Sequence, residues 1–449
     1  MLENDPHLSP LSQIKYVFES PLETEIPLST PGIYILTGGR QVGKTTLLKQ
    51  IIQNLLTKQR VSPDQIWYLP CDTIERFDQL LFYIEEFQNE LANRRPFFLF
   101  IDEITYVREW DRAIKSLADA GLFRNGSVLI TGSDTVVLKD AMKRFPGRRG
   151  AAAQQDFHYN PLSFSQYVTL VDPALAAHFD EAKASFQSDF KFDPASLNTP
   201  ALKKLEDRFF SYLLAGGFLR AINDFAKGGV IPQATYQTYI QWIIGDVLKR
   251  GKQEKYLREL IEAVIPRLTK QLSWHKITSV VSIDHHQTVA DYLGLLERMD
   301  VLNVVYALRE DKLKASPKKE KKIHFNDPFI FHALHGWIHG GKDLFPLARR
   351  TIEEGGDMMT AIIEGTIASL MRRQWESYYI KAEGEVDIVV VSGGTFFPIE
   401  IKYSRTLRRQ ELKQILKYKR GLIAYRGTDC GVMEGLTVIP IPLLAYIAA

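Results

Sequence analysis

A glycine-rich stretch near the amino terminus has the residue types needed to bind a phosphate. It fits the pattern G-x-x-x-x-G-K-[ST], is followed by Thr46, and consists of Gly38, Gly39, Arg40, Gln41, Val42, Gly43, Lys44 and Thr45. Glycines let main-chain N–H groups wrap a phosphate, and a helix starting near Lys44 adds the positive end of its dipole. Lys44 is expected to reach the β- and γ-phosphates, and Thr45 to ligate Mg²⁺. The stretch, with Thr46, therefore predicts a P-loop that binds ATP and Mg²⁺.

Acidic and hydroxyl side chains follow two further apolar runs, each as long as a short strand. The first run ends at Asp102 and Glu103, and the second ends near Thr131 and Ser133. Asp102 is expected to hold Mg²⁺, Glu103 to polarise the attacking water, and Thr131 or Ser133 to sense the γ-phosphate. A glycine-rich turn beside a surface acidic pair is the alternative. Three clusters at strand ends favour an ATP-hydrolysing site, because such ends meet at one edge of a parallel sheet.

Hydrolysis in P-loop enzymes often needs an arginine that meets the γ-phosphate. Arg148 and Arg149 lie in a Pro-Gly-Arg-Arg-Gly segment, and Arg124 and Arg220 are further candidates. Arg220, in a predicted helical lid, would act within its own chain. Each of these arginines, taken alone, also fits a solvated or structural role. The sequence leaves the choice open.

A second set of chemically capable residues lies in the last hundred residues. Glu364 is on a predicted helix, Asp387 on a strand, and Glu400 and Lys402 on the next strand. Strand alternation puts Glu400 and Lys402 on one face, where Asp387 and Glu400 could hold Mg²⁺ beside Lys402. This is the pattern of PD-(D/E)XK nucleases. Two alternatives stay open: an exposed strand face, and a nuclease fold that only binds DNA or assembles.

Basic residues cluster in two places. A solvated face is the ordinary explanation for such runs, but beside a phosphodiester site they favour contact with DNA phosphates. The clusters comprise a tail run of Arg405, Arg408, Arg409, Lys413, Lys417, Lys419 and Arg420, and a hairpin tip with Lys312, Lys314, Lys318, Lys319 and Lys321. Helix 284–298, with Asp284 as its N-cap, would be the recognition helix. Its His285, His286 and Gln287 either touch DNA or are merely polar first-turn residues.

Length, net charge and cysteine content limit the class of protein that carries these sites. The chain has 449 residues, a formal net charge of +3 and only two cysteines. Its length indicates several domains, and the near-neutral charge leaves local clusters to identify partners. No signal peptide, no disulfide framework and no membrane-length apolar run is found. A cytoplasmic protein without membrane contact is expected.

Local patterns predict the elements that position the first site. Apolar strands at 33–37, 97–101 and 128–130 alternate with helices 44–56 and 110–120, which predicts an α/β fold with a parallel sheet covered on both faces. Beyond residue 160 the pattern becomes helical, with a polar insert around 185–199. Helices followed by a basic hairpin then resemble a winged helix. Two strands and a basic helix are expected in the tail.

Several motifs together resemble a known family. The P-loop, FFLFIDEI, VLITGS, the glycine-arginine segment and NPLSFSQY at 160–167 are similar to archaeal and bacterial AAA-type ATPases that carry a nuclease-like C-terminal domain. The resemblance implies a P-loop NTPase core of the AAA type at 1–160, a helical lid at 161–252, a winged-helix domain at 253–330 and a restriction-endonuclease-like α/β domain at 331–449. It also implies a homo-oligomer, commonly a hexamer in this class.

Three functions remain open at this point. The first is an ATP-driven enzyme that remodels, translocates or branch-migrates branched or duplex DNA, with or without Mg²⁺-dependent cleavage. The gap from Asp387 to Glu400 resembles that of archaeal Holliday-junction-resolving enzymes, which favours branched DNA. The second is a nucleotide-controlled DNA-binding switch with a catalytically silent nuclease fold. The third is a P-loop signalling ATPase that acts on protein.

Overall fold

The computed structural model describes residues 5–91, 96–142, 147, 149–191 and 199–449. The chain divides into two compact units, Met1–Asn160 and Pro161–Ala449. The predicted division of the second unit into lid, winged helix and nuclease-like domain stays a prediction. No helix in the described part of the chain is long and apolar enough to cross a lipid bilayer.

The first unit is a five-stranded parallel sheet with helices, in the strand order β2-β3-β4-β1-β5. Its strands are β1 (Gly32–Thr37), β2 (Ile66–Pro70), β3 (Phe97–Asp102), β4 (Gly126–Thr131) and β5 (Asp156–His158). Its helices are α1 (Leu22–Glu25), α2 (Lys44–Thr57), α3 (Phe77–Leu91), α4 (Trp110–Asp119) and α5 (Thr135–Met142).

Both faces of this sheet are buried, and this explains why its central strands are apolar throughout. Ile33 and Ile35 of β1 belong to one hydrophobic cluster, whereas Tyr34 and Leu36 belong to another on the opposite face. Successive strand residues point to opposite faces, so a strand that alternates between two cores must be apolar at every position. The predicted α/β fold with a parallel sheet is confirmed.

The second unit combines helices with an eight-stranded sheet. Its helices are α6 (Phe164–Val171), α7 (Pro173–Ala176), α8 (Asp180–Asp189), α9 (Thr199–Ala215), α10 (Leu219–Gly228), α11 (Gln233–Lys249), α12 (Glu254–Val264), α13 (Trp274–Thr278), α14 (His286–Arg298), α15 (Pro328–His339), α16 (Leu344–Glu354), α17 (Gly356–Arg372) and α18 (Ile441–Ile447). Its strands are β6 (Leu302–Arg309), β7 (Lys314–Phe325), β8 (Glu376–Lys381), β9 (Glu385–Ser392), β10 (Thr395–Lys402), β11 (Leu422–Tyr425), β12 (Gly431–Met433) and β13 (Leu436–Pro440).

The hairpin expected to form a wing is part of this large sheet. The strand order is β12-β13-β11-β10-β9-β8-β6-β7, so β6 pairs with β7 on one side and with β8 on the other. Helices α12 to α14 precede the hairpin, and Leu272 forms an antiparallel bridge with Lys321. The winged-helix interpretation of these elements stays a prediction. The hairpin itself connects the segments 253–330 and 331–449 through one continuous sheet.

Two details of the second unit differ from expectation. The basic tail run is not a helix but a loop with two short 3₁₀ turns, at Arg409–Glu411 and Ile415–Lys417. Like charges four residues apart, as in Arg405, Arg409 and Lys413, disfavour a helix there. Helix α14 begins at His286, and its N-cap is His285 rather than the expected Asp284.

Candidate nucleotide-binding site

The P-loop connects the carboxyl end of β1 to the amino end of α2, as its sequence predicts. Gly43 precedes the helix with φ of +106°, a value that residues with a Cβ rarely adopt. Gly38 has φ of +149°, and a Cβ on it would lie 2.4 Å from the carbonyl oxygen of Tyr159. These two positions require glycine for conformational and steric reasons, and they leave the backbone open to a phosphate.

Lys44 is held within the loop by main-chain oxygens. Its Nζ donates hydrogen bonds to the carbonyls of Gly38 at 2.9 Å and Gly39 at 2.8 Å, and the residue is 6% exposed. Thr135, at the start of α5, donates to the same Gly38 oxygen at 2.8 Å. The ammonium is therefore pre-positioned by neutral acceptors, which a phosphate can replace at little electrostatic cost.

Asp102 is oriented by two hydroxyl groups at the end of β3. Tyr68 Oη donates to Oδ2 at 2.8 Å, and Thr131 donates to Oδ1. Burial, together with the nearby Asp102 carboxylate, raises the pKa of Tyr68, so its hydroxyl stays a donor. Lys49 Nζ lies 3.3 Å from the centroid of the Tyr68 ring and pairs with Asp5 at 3.2 Å. Sequence reasoning missed Tyr68, because β2 was not recognised.

Glu103 adopts a left-handed backbone conformation, with φ of +56°. Its Oε2 accepts a hydrogen bond from the main-chain N–H of Ser133 at 2.7 Å. Non-glycine residues in this region of φ/ψ space carry strain that clusters at functional sites. The two predicted strand-end clusters thus lie in direct contact at one edge of the sheet.

One cavity of about 370 Å³ joins these groups. It is lined by His7, Arg40, Gln41, Gly43, Lys44, Thr45, Thr46, Glu103 and Ser133. His7 was not predicted, since nothing in its local sequence connects it to the P-loop. Of the predicted nucleotide-binding residues, Asp102 lies beside this cavity at the end of β3, and Gly38, Gly39 and Val42 lie in the loop itself.

The donor set of the cavity fits ATP and Mg²⁺. The Gly38 and Gly43 conformations leave a backbone concavity that a Cβ at Gly38 would close. Lys44 supplies a cation, while Thr45 and Asp102 supply the oxygen ligands that Mg²⁺ prefers. Lys44, Thr45 and Glu103 line the same cavity.

Of the two roles considered for Arg149, catalytic and structural, its contacts favour the structural one. Its guanidinium donates to the carbonyls of Ile33 and Gln155, pairs with Asp156 at 2.6 Å, and the residue is 7% exposed. Ile33 lies near the amino end of β1, about 13 Å along the strand from its P-loop end at Thr37. Buried and fully engaged there, Arg149 is in no position to meet a γ-phosphate.

Among the other arginine candidates, only Arg124 belongs to the described residues of the first unit. Arg148 lies outside the described residues. Arg124 is exposed just before β4, at the amino end of that strand. Arg220 is exposed in the first turn of α10, in the second unit.

The structure brings the four predicted tail residues together in the second unit. Lys402 Nζ contacts Glu400 and lies 3.9 Å from Asp387, whose Oδ2 accepts the main-chain N–H of Ile401 at 2.9 Å. Glu364, on α17, lies on the same side of the sheet. The pairing of β8 with β9 shifts register between Tyr378 and Ile380, opposite Asp387. Such an irregularity re-aims side chains.

Lys322 and Glu385 also belong to this cluster, and sequence reasoning missed both. Lys322, on β7, places its Nζ 2.8 Å from Glu364, 2.5 Å from Glu385 and 3.4 Å from Asp387. Burial raises the pKa of Glu364 to about 7, although Lys322 opposes the shift. Burial also lowers the pKa of Lys322, but the surrounding carboxylates outweigh it and raise the value well above normal. Lys322 therefore stays charged.

The two basic clusters differ in whether their side chains form ion pairs with acids of the protein. In the tail run, Arg409 pairs with Glu434, Lys417 with Glu383, and Arg420 with Asp189 at 3.3 Å. The lysines of the β6–β7 hairpin are exposed, as the tail residues are, but no ion pair with an acid of the described residues is found for Lys312, Lys314, Lys318 or Lys319. Residues 317–320 have no partner in β6, because Tyr306 pairs with Lys321 and Ala307 with Ser316. His285, His286 and Gln287 are exposed at the start of α14.

Comparison with family models assigns the first site to a class. Residues 30–168 match the model described as an AAA domain. Residues 206–339 and 359–444 match two domains of unknown function, DUF8612 and DUF4143. The P-loop, the acidic pair and the parallel sheet all fall in the first match. Residues 30–168 therefore resemble an AAA domain.

Individual relatives are distant. The uncharacterized protein MJ1637 of Methanocaldococcus jannaschii is 30% identical over 143 residues, which are 31% of this chain and 28% of that protein. The match thus spans about a quarter of that relative. Among solved structures, the Walker-type ATPase PABY2304 of Pyrococcus abyssi aligns with a TM-score of 0.43 and 15% identity over 71% of this chain and 96% of that one. The ORC1 protein of Aeropyrum pernix, solved in complex with DNA, aligns with a TM-score of 0.31 and 13% identity over 76% and 93%.

Proposed function

We propose that the chain binds ATP with Mg²⁺ in the P-loop cavity and hydrolyses it. The observation that carries this proposal is that Lys44, Thr45, Glu103 and Ser133 line a single cavity, although they come from three separate chain segments. The match of residues 30–168 to the AAA domain supports the same conclusion.

Each residue has a distinct role in this proposal. The main-chain N–H groups of the P-loop bind phosphate oxygens, and Lys44 moves from the Gly38 and Gly39 carbonyls to the β- and γ-phosphates. Thr45 and Asp102 hold Mg²⁺, which, when bound, neutralises charge on the phosphates. Tyr68 keeps the Asp102 carboxylate in place.

Glu103 orients and deprotonates the attacking water. Its carboxylate contacts the Ser133 N–H at 2.7 Å, so its position depends on the end of β4. For this role, Glu103 must lie within hydrogen-bond distance of the water and does not need to contact the phosphate. Ser133 consequently links the water-activating group to the carboxyl end of β4.

The substitution Glu103→Gln tests the hydrolytic role. We expect ATP affinity to change little, while single-turnover hydrolysis falls by about 100-fold or more, in the range of general-base removal. Glu85→Gln, on the exposed face of α3, is the matched control and should hydrolyse ATP at the wild-type rate. Equal hydrolysis by Glu103→Gln and wild type would refute the assignment.

We also propose DNA, branched or duplex, as the macromolecular partner, held through the β6–β7 hairpin. The exposed lysines Lys312, Lys314 and Lys318 support this choice, whereas much of the tail run is already paired with acids of the protein. Exposed lysines bind phosphates without sequence preference and release counterions as they do so.

Gel-shift titration at several salt concentrations tests this partner. The triple variant Lys312→Ala/Lys314→Ala/Lys318→Ala should weaken DNA binding about tenfold or more and reduce the salt slope by roughly 3. A control triple variant of Arg409, Lys413 and Lys417 should have a smaller effect. DNA binding that neither variant changes would eliminate the hairpin, and absence of binding would favour the protein-directed signalling alternative.

Oligomerisation is proposed on the resemblance to AAA-type ATPases alone. A ring would let an arginine from a neighbouring subunit reach the cavity, which Arg149 does not do within its own chain. Mass measurement with and without ATP tests this. A larger particle, up to a hexamer, is expected with nucleotide, and a monomer under both conditions would exclude it.

A further inference from the structure

We propose that Lys322 is the resident counter-ion of the acid cluster in the second unit, and that its ammonium occupies the place a divalent metal would need. The cluster would then be a locked charge network that ties α17, β7 and β9 together rather than the metal centre of a nuclease. This inference does not depend on the ATP-dependent function of the first unit.

The position of the ammonium carries the argument. Lys322 Nζ lies within 3.4 Å of oxygens from Glu364 on α17 and from Glu385 and Asp387 on β9. A cation that bridges three carboxylates is the arrangement expected of a metal ion, but here the protein supplies the charge itself. Within the described residues, no group of three or more His, Cys, Asp or Glu side chains is arranged to hold a metal.

The carboxylate oxygens that a metal would use already have partners. Asp387 Oδ1 faces Lys322, and Asp387 Oδ2 accepts the Ile401 N–H at 2.9 Å. Glu400 Oε1 contacts Lys402, whereas Glu400 Oε2 is buried without a hydrogen-bond partner. Mg²⁺ is usually bound by one or two carboxylates, with water completing its octahedron, but both oxygens of Asp387 are already engaged by Lys322 and the Ile401 N–H.

The Lys322 side chain is also held in the acid cluster by its burial and by the pairing of its strand. The residue is 1% exposed, and its Nζ lies 5.8 Å from the centroid of the Tyr379 ring. It belongs to β7, where Lys322 pairs with Val305. A metal bound to Asp387 would therefore lie beside a buried ammonium, and repulsion between two such cations in a low-dielectric interior is large.

Manganese titration without nucleotide tests the inference, using chains that carry Asp102→Asn so that the P-loop cavity lacks its metal-binding acid. We expect this chain and its Asp387→Asn derivative to bind the same amount of Mn²⁺. The exposed Asp311→Asn serves as the matched control. A Mn²⁺ site with Kd below about 1 mM that Asp387→Asn removes would overturn the proposal.

A second variant, Lys322→Gln, tests the inference through the gain of a metal site. Removing the ammonium with Lys322→Gln should create one Mn²⁺ site, which Asp387→Asn then abolishes. A folded Lys322→Gln protein that gains no Mn²⁺ site would count against Lys322 as the occupant. Should Lys322→Gln not fold, the comparison of the chain with and without Asp387→Asn still decides the matter.

Nuclease assays add an independent readout on the wild-type chain. Duplexes, forks and junctions incubated with Mg²⁺ or Mn²⁺ should stay intact, with and without ATP. Cleavage that Asp387→Asn abolishes would overturn the proposal even if ATP hydrolysis behaved as expected.

Discussion

The two units each bury a lysine near acidic residues, but they use the lysine in opposite ways. Lys44 contacts two neutral carbonyls at the edge of an open cavity, with Asp102 held by hydroxyl groups nearby. Lys322 contacts three carboxylates and is 1% exposed. A phosphate can replace the Gly38 and Gly39 carbonyls at the first lysine, whereas the charge of the second is already paired with three carboxylates.

This difference shows that residue types alone do not define a reactive site. Both regions contain a lysine and acids at strand ends, as many phosphate-handling sites do. What separates them is whether the charges have been neutralised inside the protein. A buried charge that is fully paired contributes to structure, and an ammonium held by weak neutral partners is available for a ligand.

The largest effect is expected from removing each lysine in turn. Lys322→Met should lower the free energy of unfolding by about 3–5 kcal/mol, because it removes the cation beside the buried Glu364 and the partly buried Asp387 and Glu385. Lys44→Met should lower it by less, about 1 kcal/mol, because the Gly38 and Gly39 carbonyls that lose a donor are neutral. Urea denaturation monitored by tryptophan fluorescence measures both. A similar loss of unfolding free energy in the two variants would contradict the proposed difference between Lys44 and Lys322.

Arg149 provides the next test, since it is a buried cation in the ATPase unit. Arg149→Met should destabilise the first unit by about 2–3 kcal/mol, because Asp156 and two carbonyls lose their donor. The ATPase rate per folded molecule should stay within about twofold of wild type. Arg124→Met, exposed, is the control. A rate loss of 100-fold without loss of stability would return Arg149 to the catalytic residues.

Buried histidines make the second unit sensitive to acid. Burial lowers the pKa of His335 to about 4, and that of His332 to about 4. Because the unfolded chain binds these protons near pH 6.5, stability is lost as pH falls from 6.5 toward 4. His335→Phe should therefore be about 1 kcal/mol more stable than wild type at pH 5 but not at pH 8. Thermal melts across this range check the difference, and parallel curves would contradict it.

The smallest effect is expected from Tyr68→Phe, which removes one hydrogen bond to Asp102. The Mg²⁺ concentration for half-maximal ATPase activity should rise about fivefold, corresponding to ~1 kcal/mol, while the rate at saturating Mg²⁺ changes little. Tyr83→Phe, on the exposed face of α3, should leave the Mg²⁺ dependence unchanged. No shift in Tyr68→Phe would mean that Thr131 alone orients Asp102.

The sequence predicted the first site better than the second for physical reasons. Strands β1, β3 and β4 are buried on both faces, so they read as continuous apolar runs, and the residues that follow them had to meet at one edge. The three-residue β5 has no such run and was missed. The apolar run of β2, which is only partly buried, was overlooked, and Tyr68 was missed with it. The backbone constraints on Gly38 and Gly43 follow directly from the P-loop pattern.

In the second unit, the decisive contacts depend on long-range pairing. Lys322 occurs among five other lysines between 312 and 321, where nothing local distinguishes a buried side chain from exposed ones. Its role follows from the pairing of β7 at the edge of the sheet and from the register shift opposite Asp387. The predicted residues Glu364, Asp387, Glu400 and Lys402 do lie together. The Lys322 ammonium, which the sequence did not reveal, pairs with the carboxylates of Glu364 and Asp387 and favours a structural role for the cluster.

Direct nucleotide binding tests the central claim of this account. Calorimetric titration with ATP and Mg²⁺ should show one site per wild-type chain, no detectable site in Lys44→Ala, and normal binding by Lys115→Ala, which alters an exposed lysine of α4. Absence of ATP binding by the wild type, or equal binding by Lys44→Ala, would contradict the assignment of the P-loop cavity as the functional site.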